Sequence, residues 1–170
     1  MRELTEKERQ EYFHRSYTAV DGLWFMKIEE QFGFEAALKV DEAVWRILPK
    51  IQARTLKGMM GLKRGLMDLQ AALSERLAME GFEFEMRQRE DGLEVTVSSC
   101  PWHQIMIKSG RGHLSEQVSD VICRVENGTW ADEFSGGDGG EICFVREARL
   151  CRGEERCRLL FGRKGQREDL

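Results

Sequence analysis

Residues 82–100 read "FEFEMRQREDGLEVTVSSC". Phe82, Phe84 and Met86 alternate with charged side chains, and Leu93, Val95 and Val97 repeat that alternation after Asp91-Gly92. A period of two puts successive side chains on opposite faces of a strand, and Asp-Gly suits the tight turn between two strands. The stretch predicts a β-hairpin with one apolar face. Cys100-Pro101 closes the second strand.

Before the hairpin the spacing is helical. Tyr12, Phe13, Ser16 and Tyr17 mark a helix over 6–19, and Leu23, Trp24, Met26, Ile28 and Phe32 mark a second one ending at Gly33. Ala37, Leu38, Val40, Val44, Ile47, Leu48 and Ile51 recur at three- and four-residue intervals, as one buried helix face requires. Pro49 lacks a backbone donor and predicts a kink or restart there. Leu66, Leu69, Ala72, Leu73 and Leu77 define a further helix over 66–79, stopped by Gly81.

After the hairpin, "CPWHQIMIKSGRGH" (100–113) reads as a loop with a short apolar run. Leu114, Val118, Val121, Ile122 and Val125 predict a helix closed by Asn127-Gly128, and Trp130 and Phe134 mark another helical turn. "SGGDGG" (135–140) reads as a turn before two last strands, about 141–150 and 157–162. The expected fold is α+β: N-terminal helices packed on a small antiparallel sheet made of two hairpins with an intervening helix. At 170 residues one domain is expected, helical over 1–80, with the sheet and cysteine-rich part over 81–164 and a frayed tail at 165–170.

Composition narrows the function. A net charge of −4 with both signs interspersed lacks the basic stripe of a nucleic-acid binder. No apolar run of about 18 residues is present, so no membrane span is expected. The charged N-terminus "MRELTEKERQEYF" lacks a secretory apolar core, so a cytoplasmic location is expected.

All five cysteines (Cys100, Cys123, Cys143, Cys151 and Cys157) follow residue 99. In a reducing compartment such clustering favours metal ligation or catalysis over disulfides. Cys143, Val145, Glu147, Arg149 and Cys151 share one strand face if no bulge intervenes, and Cys151 and Cys157 meet if they stand opposite each other. Thiolates suit zinc or an iron–sulfur cluster, because sulfur is soft. The gaps between the cysteines contain no C-x-x-C, so buried, reduced thiols acting as small hydrophobes stand beside that reading.

Residues 122–164, "ICRVENGTWADEF" and "FVREARLCRGEERCRLLFGRK" within them, resemble the C-terminal part of the 4-vinyl reductase domain. Cys123, Gly128, Glu147, Cys151, Gly153 and Cys157 match its pattern in order, although Glu147 precedes Cys151 by four positions instead of three. The sensor versions of that domain bind zinc, so the resemblance implies a site on Cys123, Cys151 and Cys157. Cys100 is then the preferred fourth ligand, with Cys143, Glu147 or a histidine as substitutes. Zinc is the expected metal and a 4Fe–4S cluster the alternative.

Across nearly the whole chain, Asp21, Gly22, Leu23, Trp24, Glu29, Glu30, Asp41, Trp45, Cys100, Pro101, Trp102, Gly110, Arg111 and Cys123 resemble a family labelled as related to L-2-amino-thiazoline-4-carboxylic acid hydrolase. That resemblance implies a fold like the trafficking-complex subunits, a possible homodimer, and hydrolysis of a C–N bond in a small cyclic amide-like substrate. His103 beside Cys100 is the candidate catalytic base. Trp24, Trp102 and Arg111 are candidates for binding the small molecule, the arginine through a carboxylate. The other expectation is a metal-binding protein that senses or binds a small molecule.

Overall fold

The computed structural model describes residues 2–90, 92–136 and 140–165. Their contacts divide the chain into two compact units, Met1–Ala43 and Val44–Leu170. The first is helical. α1 spans Glu6–Phe32 and α2 spans Phe34–Trp45, across the boundary between the units. Thr5 starts α1 with a reciprocal cap: its hydroxyl accepts from the Glu8 amide at 3.2 Å, and the Glu8 carboxylate accepts from the Thr5 amide at 2.8 Å. The Thr5 amide foremost, then the Arg2 guanidinium and the Thr5 hydroxyl, hold the Glu8 carboxyl below its ordinary pKa.

Where the sequence predicts two helices before Gly33, the structure has one of 27 residues. Gly22 is the weakest helix former at the expected break, after Val20 and Asp21. One glycine costs about 1 kcal/mol in a helix, too little to stop it without a cap. Gly33, at φ 87°, does end α1, because that backbone conformation is open mainly to glycine.

In the second unit α3 (Leu48–Met60) restarts with Pro49 in its first turn, as the sequence predicts. α4 (Leu66–Met79) follows, then the hairpin of β1 (Glu83–Arg89) and β2 (Gly92–Ser99). Asp91 of its turn lies outside the described residues. The segment expected to be a loop is α5 (Pro101–Lys108). The overlooked signal is Cys100-Pro101, since proline favours the first position of a helix.

α6 runs unbroken over Ser115–Phe134, where the sequence predicts a stop at Asn127-Gly128. The Asn127 amide donates to the Cys123 carbonyl one turn back at 2.7 Å, so its polar group is satisfied within the helix. β3 (Ile142–Ala148) and β4 (Cys157–Arg163) make the second hairpin, and a 3-10 turn, Leu150–Arg152, lies between them. Residues 137–139 of the expected turn before β3, and 166–170 of the expected frayed tail, lie outside the described residues.

The four strands form one antiparallel sheet in the order β1-β2-β4-β3. The second hairpin therefore docks on the first through β4 against β2. Leu93, Val95 and Val97 of β2 and Leu159 and Phe161 of β4 turn into a core with Ala53 of α3, Leu69, Leu73 and Leu77 of α4, and Trp130 and Phe134 of α6. The next residue along β2 from Leu93, Glu94, points to the other face and is held by Arg89 and Arg158. The fold is α+β with one small antiparallel sheet. No described helix is long and apolar enough to cross a membrane.

Candidate functional site

The cysteines come from different elements. Cys100 is the residue between β2 and α5, Cys123 sits mid-way along α6, Cys151 lies in the 3-10 turn, and Cys157 opens β4. The expected pairing of Cys151 with Cys157 across a hairpin does not occur. The β3–β4 register shifts at a bulge between Arg146 and Ala148, and β3 has ended before Cys151. Cys157 stands opposite Val97 of β2. The bulge also breaks the strand parity expected to align Cys143 with Cys151. Cys143 pairs with Gly162 toward the other end of β4 and lies near Lys164.

The other four thiols sense one another. Cys123 interacts electrostatically with Cys100 and Cys157, Cys100 with Cys157, and Cys157 with Cys151. Burial pushes the Cys100 thiol up to about 11, although the amides of His103 and Trp102 at the start of α5 draw it down. Burial raises Cys123 further, assisted by the Glu126 carboxylate and opposed by Arg146. Burial also raises Cys157, against the Leu150 amide that donates to its sulfur at 3.2 Å. The sulfur of Cys151 is 2.8 Å from the Ser119 hydroxyl, one turn before Cys123 on α6.

Soft donors are thus present in the number a structural metal site needs. Among the described residues, however, no three His, Cys, Asp or Glu side chains are close enough together to hold a metal ion. Burial, which raises Cys100, Cys123 and Cys157, keeps these three thiols protonated at neutral pH. Glu147 is engaged elsewhere, 2.8 Å from Arg158.

His103 lies in the first turn of α5, and its Nδ1 is 2.7 Å from the Ser115 hydroxyl, a buried group at the start of α6. Trp102 packs edge-on against Trp45 at 5.6 Å between ring centroids. Arg111 leads into the 3-10 turn Gly112–Leu114. Trp24 is on α1, in the first compact unit, and is 67 % exposed. The structure therefore brings together Cys100, Cys123, Cys151 and Cys157.

Sequence reasoning missed the charged groups around the thiols. Arg76, Glu80 and Glu126 are all buried; Arg76 donates to Glu80 at 3.2 Å and to Glu126, and lies over the Trp130 ring. Burial opposes the Arg76 charge, but Glu126 and Glu80 outweigh it and raise its pKa further. The four-residue spacing of Arg76 and Glu80 was a readable signal, whereas the approach of Glu126 is tertiary. Arg146 donates to the Ser119 carbonyl at 2.9 Å and to Asp120 at 2.7 Å.

Residues 8–109 match the model of a family of unknown function, DUF6125. No curated protein and no solved structure matches the chain. The matched segment contains Cys100 and His103 and stops before the other four cysteines.

Proposed function

The chain belongs to DUF6125, a family without a known function, and from its own side chains we propose a small cytoplasmic metal-binding protein that binds or senses a small molecule. The observation carrying this is the convergence of four thiols from four elements, with Cys143 apart from them. The order of Cys123, Cys151 and Cys157, which resembles the zinc-binding sensor form of the 4-vinyl reductase domain, supports the same reading. Cys100, Cys123, Cys151 and Cys157 would hold the ion, zinc in preference to a 4Fe–4S cluster. A soft cation stabilises thiolates and so reverses the protonated state that burial imposes. Its contribution would be structural, since Cys151 and Cys157 lie on the last hairpin, Cys123 on α6 and Cys100 at the end of β2.

A hydrolase of a cyclic C–N bond is the second reading, and it rests on Cys100 with His103. A thiol near 11 is the opposite of an activated nucleophile, and the His103 Nδ1 is engaged by Ser115. Binding therefore has more support than hydrolysis.

A homodimer belongs to the proposal. Tyr12, Phe13, Val20, Leu23 and Trp24 of α1 are each more than half exposed. On a helix they fall within about 120° of arc. They offer on the order of 600 Å² of apolar area, most of one partner's share of a standard interface. Light scattering of the full chain reads its mass; a monomer at all concentrations removes the dimer.

Metal analysis with an absorption spectrum of anaerobically purified protein tests the central reading. One zinc per chain and no visible absorbance is the expected result. A brown protein replaces zinc with a cluster. Metal-free protein with free thiols rejects metal binding.

A further inference from the structure

We propose that the arginines gathered on Asp120 form an oxyanion site, which takes a carboxylate or phosphate group of a small molecule beside the Cys151 thiol. The inference rests on the small-molecule-binding reading above and supplies the charge of the ligand's head group.

One carboxylate serves three guanidinium groups. Asp120 Oδ1 accepts from Arg146 at 2.7 Å and from Arg149, and Asp120 Oδ2 is 3.8 Å from Arg152. Arg152 also donates to Glu116 at 2.6 Å. A fourth arginine, Arg124, donates only to the Asp120 carbonyl, at 2.8 and 3.2 Å, and meets no carboxylate among the described residues. The nearby Glu154 carboxylate takes the Arg149 backbone amide. Four guanidinium groups (Arg124, Arg146, Arg149 and Arg152) thus face three carboxylates (Glu116, Asp120 and Glu154), which leaves one positive charge in excess.

Two of the paired guanidinium groups are largely withdrawn from water, while Arg124 is exposed. The side chains of Arg146 and Arg149 are 8 % and 20 % exposed. The Arg149 guanidinium donates to Asp120 through Nη1, and its Nε and Nη2 donors have no protein acceptor among the described residues. A guanidinium carries its donors in a planar fork that fits two oxygens of one carboxylate or phosphate. Arg152, nearly half exposed, gives the site an open side. Ser119 and Cys151 adjoin it, because Arg146 and Arg152 are tied to the same turn of α6 as Ser119. The site is therefore built for an anionic head group, with a thiol and a hydroxyl next to it.

The test is calorimetric titration of the full chain with citrate and with inorganic phosphate, at matched ionic strength in chloride buffer. Expected is saturable binding of at least one of them at one site per chain, with a Kd of about 1 mM or tighter. Competition between them shows a shared site, and the tighter one names the head group. Arg149→Gln weakens binding about tenfold, Arg149→Lys weakens it less, and Arg163→Gln, an equal loss of charge at the far end of β4, leaves it unchanged. Arg152→Gln, at a more exposed position, repeats the loss if Arg149→Gln lowers the melting temperature. Non-saturable heats, or equal affinity in Arg149→Gln and Arg163→Gln, overturn the proposal. The metal content of the same sample is measured separately, so a metal-free protein that still binds the anion rejects the metal reading alone.

Discussion

The Leu150 amide donates to the Cys157 sulfur at 3.2 Å, so one thiol closes the base of the turn that carries Cys151. A serine can replace that acceptor, but it cannot replace a soft metal ligand. In Cys157→Ser the fold is therefore expected to survive while bound zinc falls well below one per chain. Cys123→Ser does the same, and Cys143→Ser keeps its zinc. Elemental analysis of the three variants checks this, and equal zinc loss in Cys143→Ser contradicts the assignment.

Thiol chemistry follows from burial. In metal-free, reduced protein the Cys100 thiol, pushed up to about 11, is alkylated slowly at pH 8, and its rate rises toward pH 11. Glu126→Gln removes a carboxylate that raises both Cys100 and Cys123, so their alkylation speeds up. Mass spectrometry of alkylated peptides reads each cysteine. The same shift affects stability. A thiol titrating higher when folded stabilises fully below its unfolded value of about 8.5, and that contribution is lost as pH rises toward the folded one.

Truncating Arg76 leaves Glu80 and Glu126 buried without their cation. Breaking one side of a buried ion pair costs about 3–5 kcal/mol, whereas replacing all partners with apolar groups costs far less. Arg76→Ala should approach that loss in urea denaturation, and the triple change Arg76→Met, Glu80→Leu, Glu126→Leu should recover most of it. A loss under about 1 kcal/mol for Arg76→Ala contradicts a closed network.

Gly92 opens β2 where the backbone of β4 comes closest. A Cβ at that position meets the Phe161 carbonyl oxygen at 2.1 Å and the Gly162 Cα at 2.9 Å. Neither neighbour is a flexible side-chain end, so Gly92→Ala must part β2 from β4. A loss of about 1–3 kcal/mol is expected from overpacking of this kind. Gly58→Ala, with open space around its Cβ, is the control.

Acid acts on a different set of groups. Arg54, with Lys57, holds the Glu133 carboxyl below its ordinary range against some desolvation, and Arg158 and Arg89 do the same for Glu94. These carboxylates stabilise the fold above the ordinary value of 4.5, and the contribution is lost as pH falls through their lower folded values. Glu133→Gln should flatten the acid limb of melting temperature against pH. An unchanged limb shows that Glu133 adds nothing.

The sequence reading went furthest where a signal is local. Alternation around Gly92 gave the first hairpin, Pro49 the helix restart, and leucine spacing α4. It failed at the stop expected at Asn127-Gly128 and at the break expected between residues 19 and 23, through which α6 and α1 run on. It failed again where one residue changes parity: the bulge after Arg146 cannot be read from side-chain alternation. The resemblance names Cys123, Cys151 and Cys157 as candidate ligands with Cys100 as the preferred fourth, and the structure draws these four thiols near one another. The charges around them (Arg146, Asp120, Glu126 and Arg76) come from three elements and meet only when the chain has folded.

The unbroken course of α6 has a mechanical consequence. Ser115, Ser119, Asp120, Cys123, Glu126 and Glu133 ride on one helix of 20 residues, about 30 Å long. The partner of His103, the hydroxyl beside Cys151, the carboxylate between the arginines, one thiol and the anchor of Arg54 are fixed on a common ruler. A stop at Asn127-Gly128 would have split that ruler. Because the helix continues, these groups keep fixed spacings along one axis, from the His103 partner at its start to the Arg54 anchor at its end.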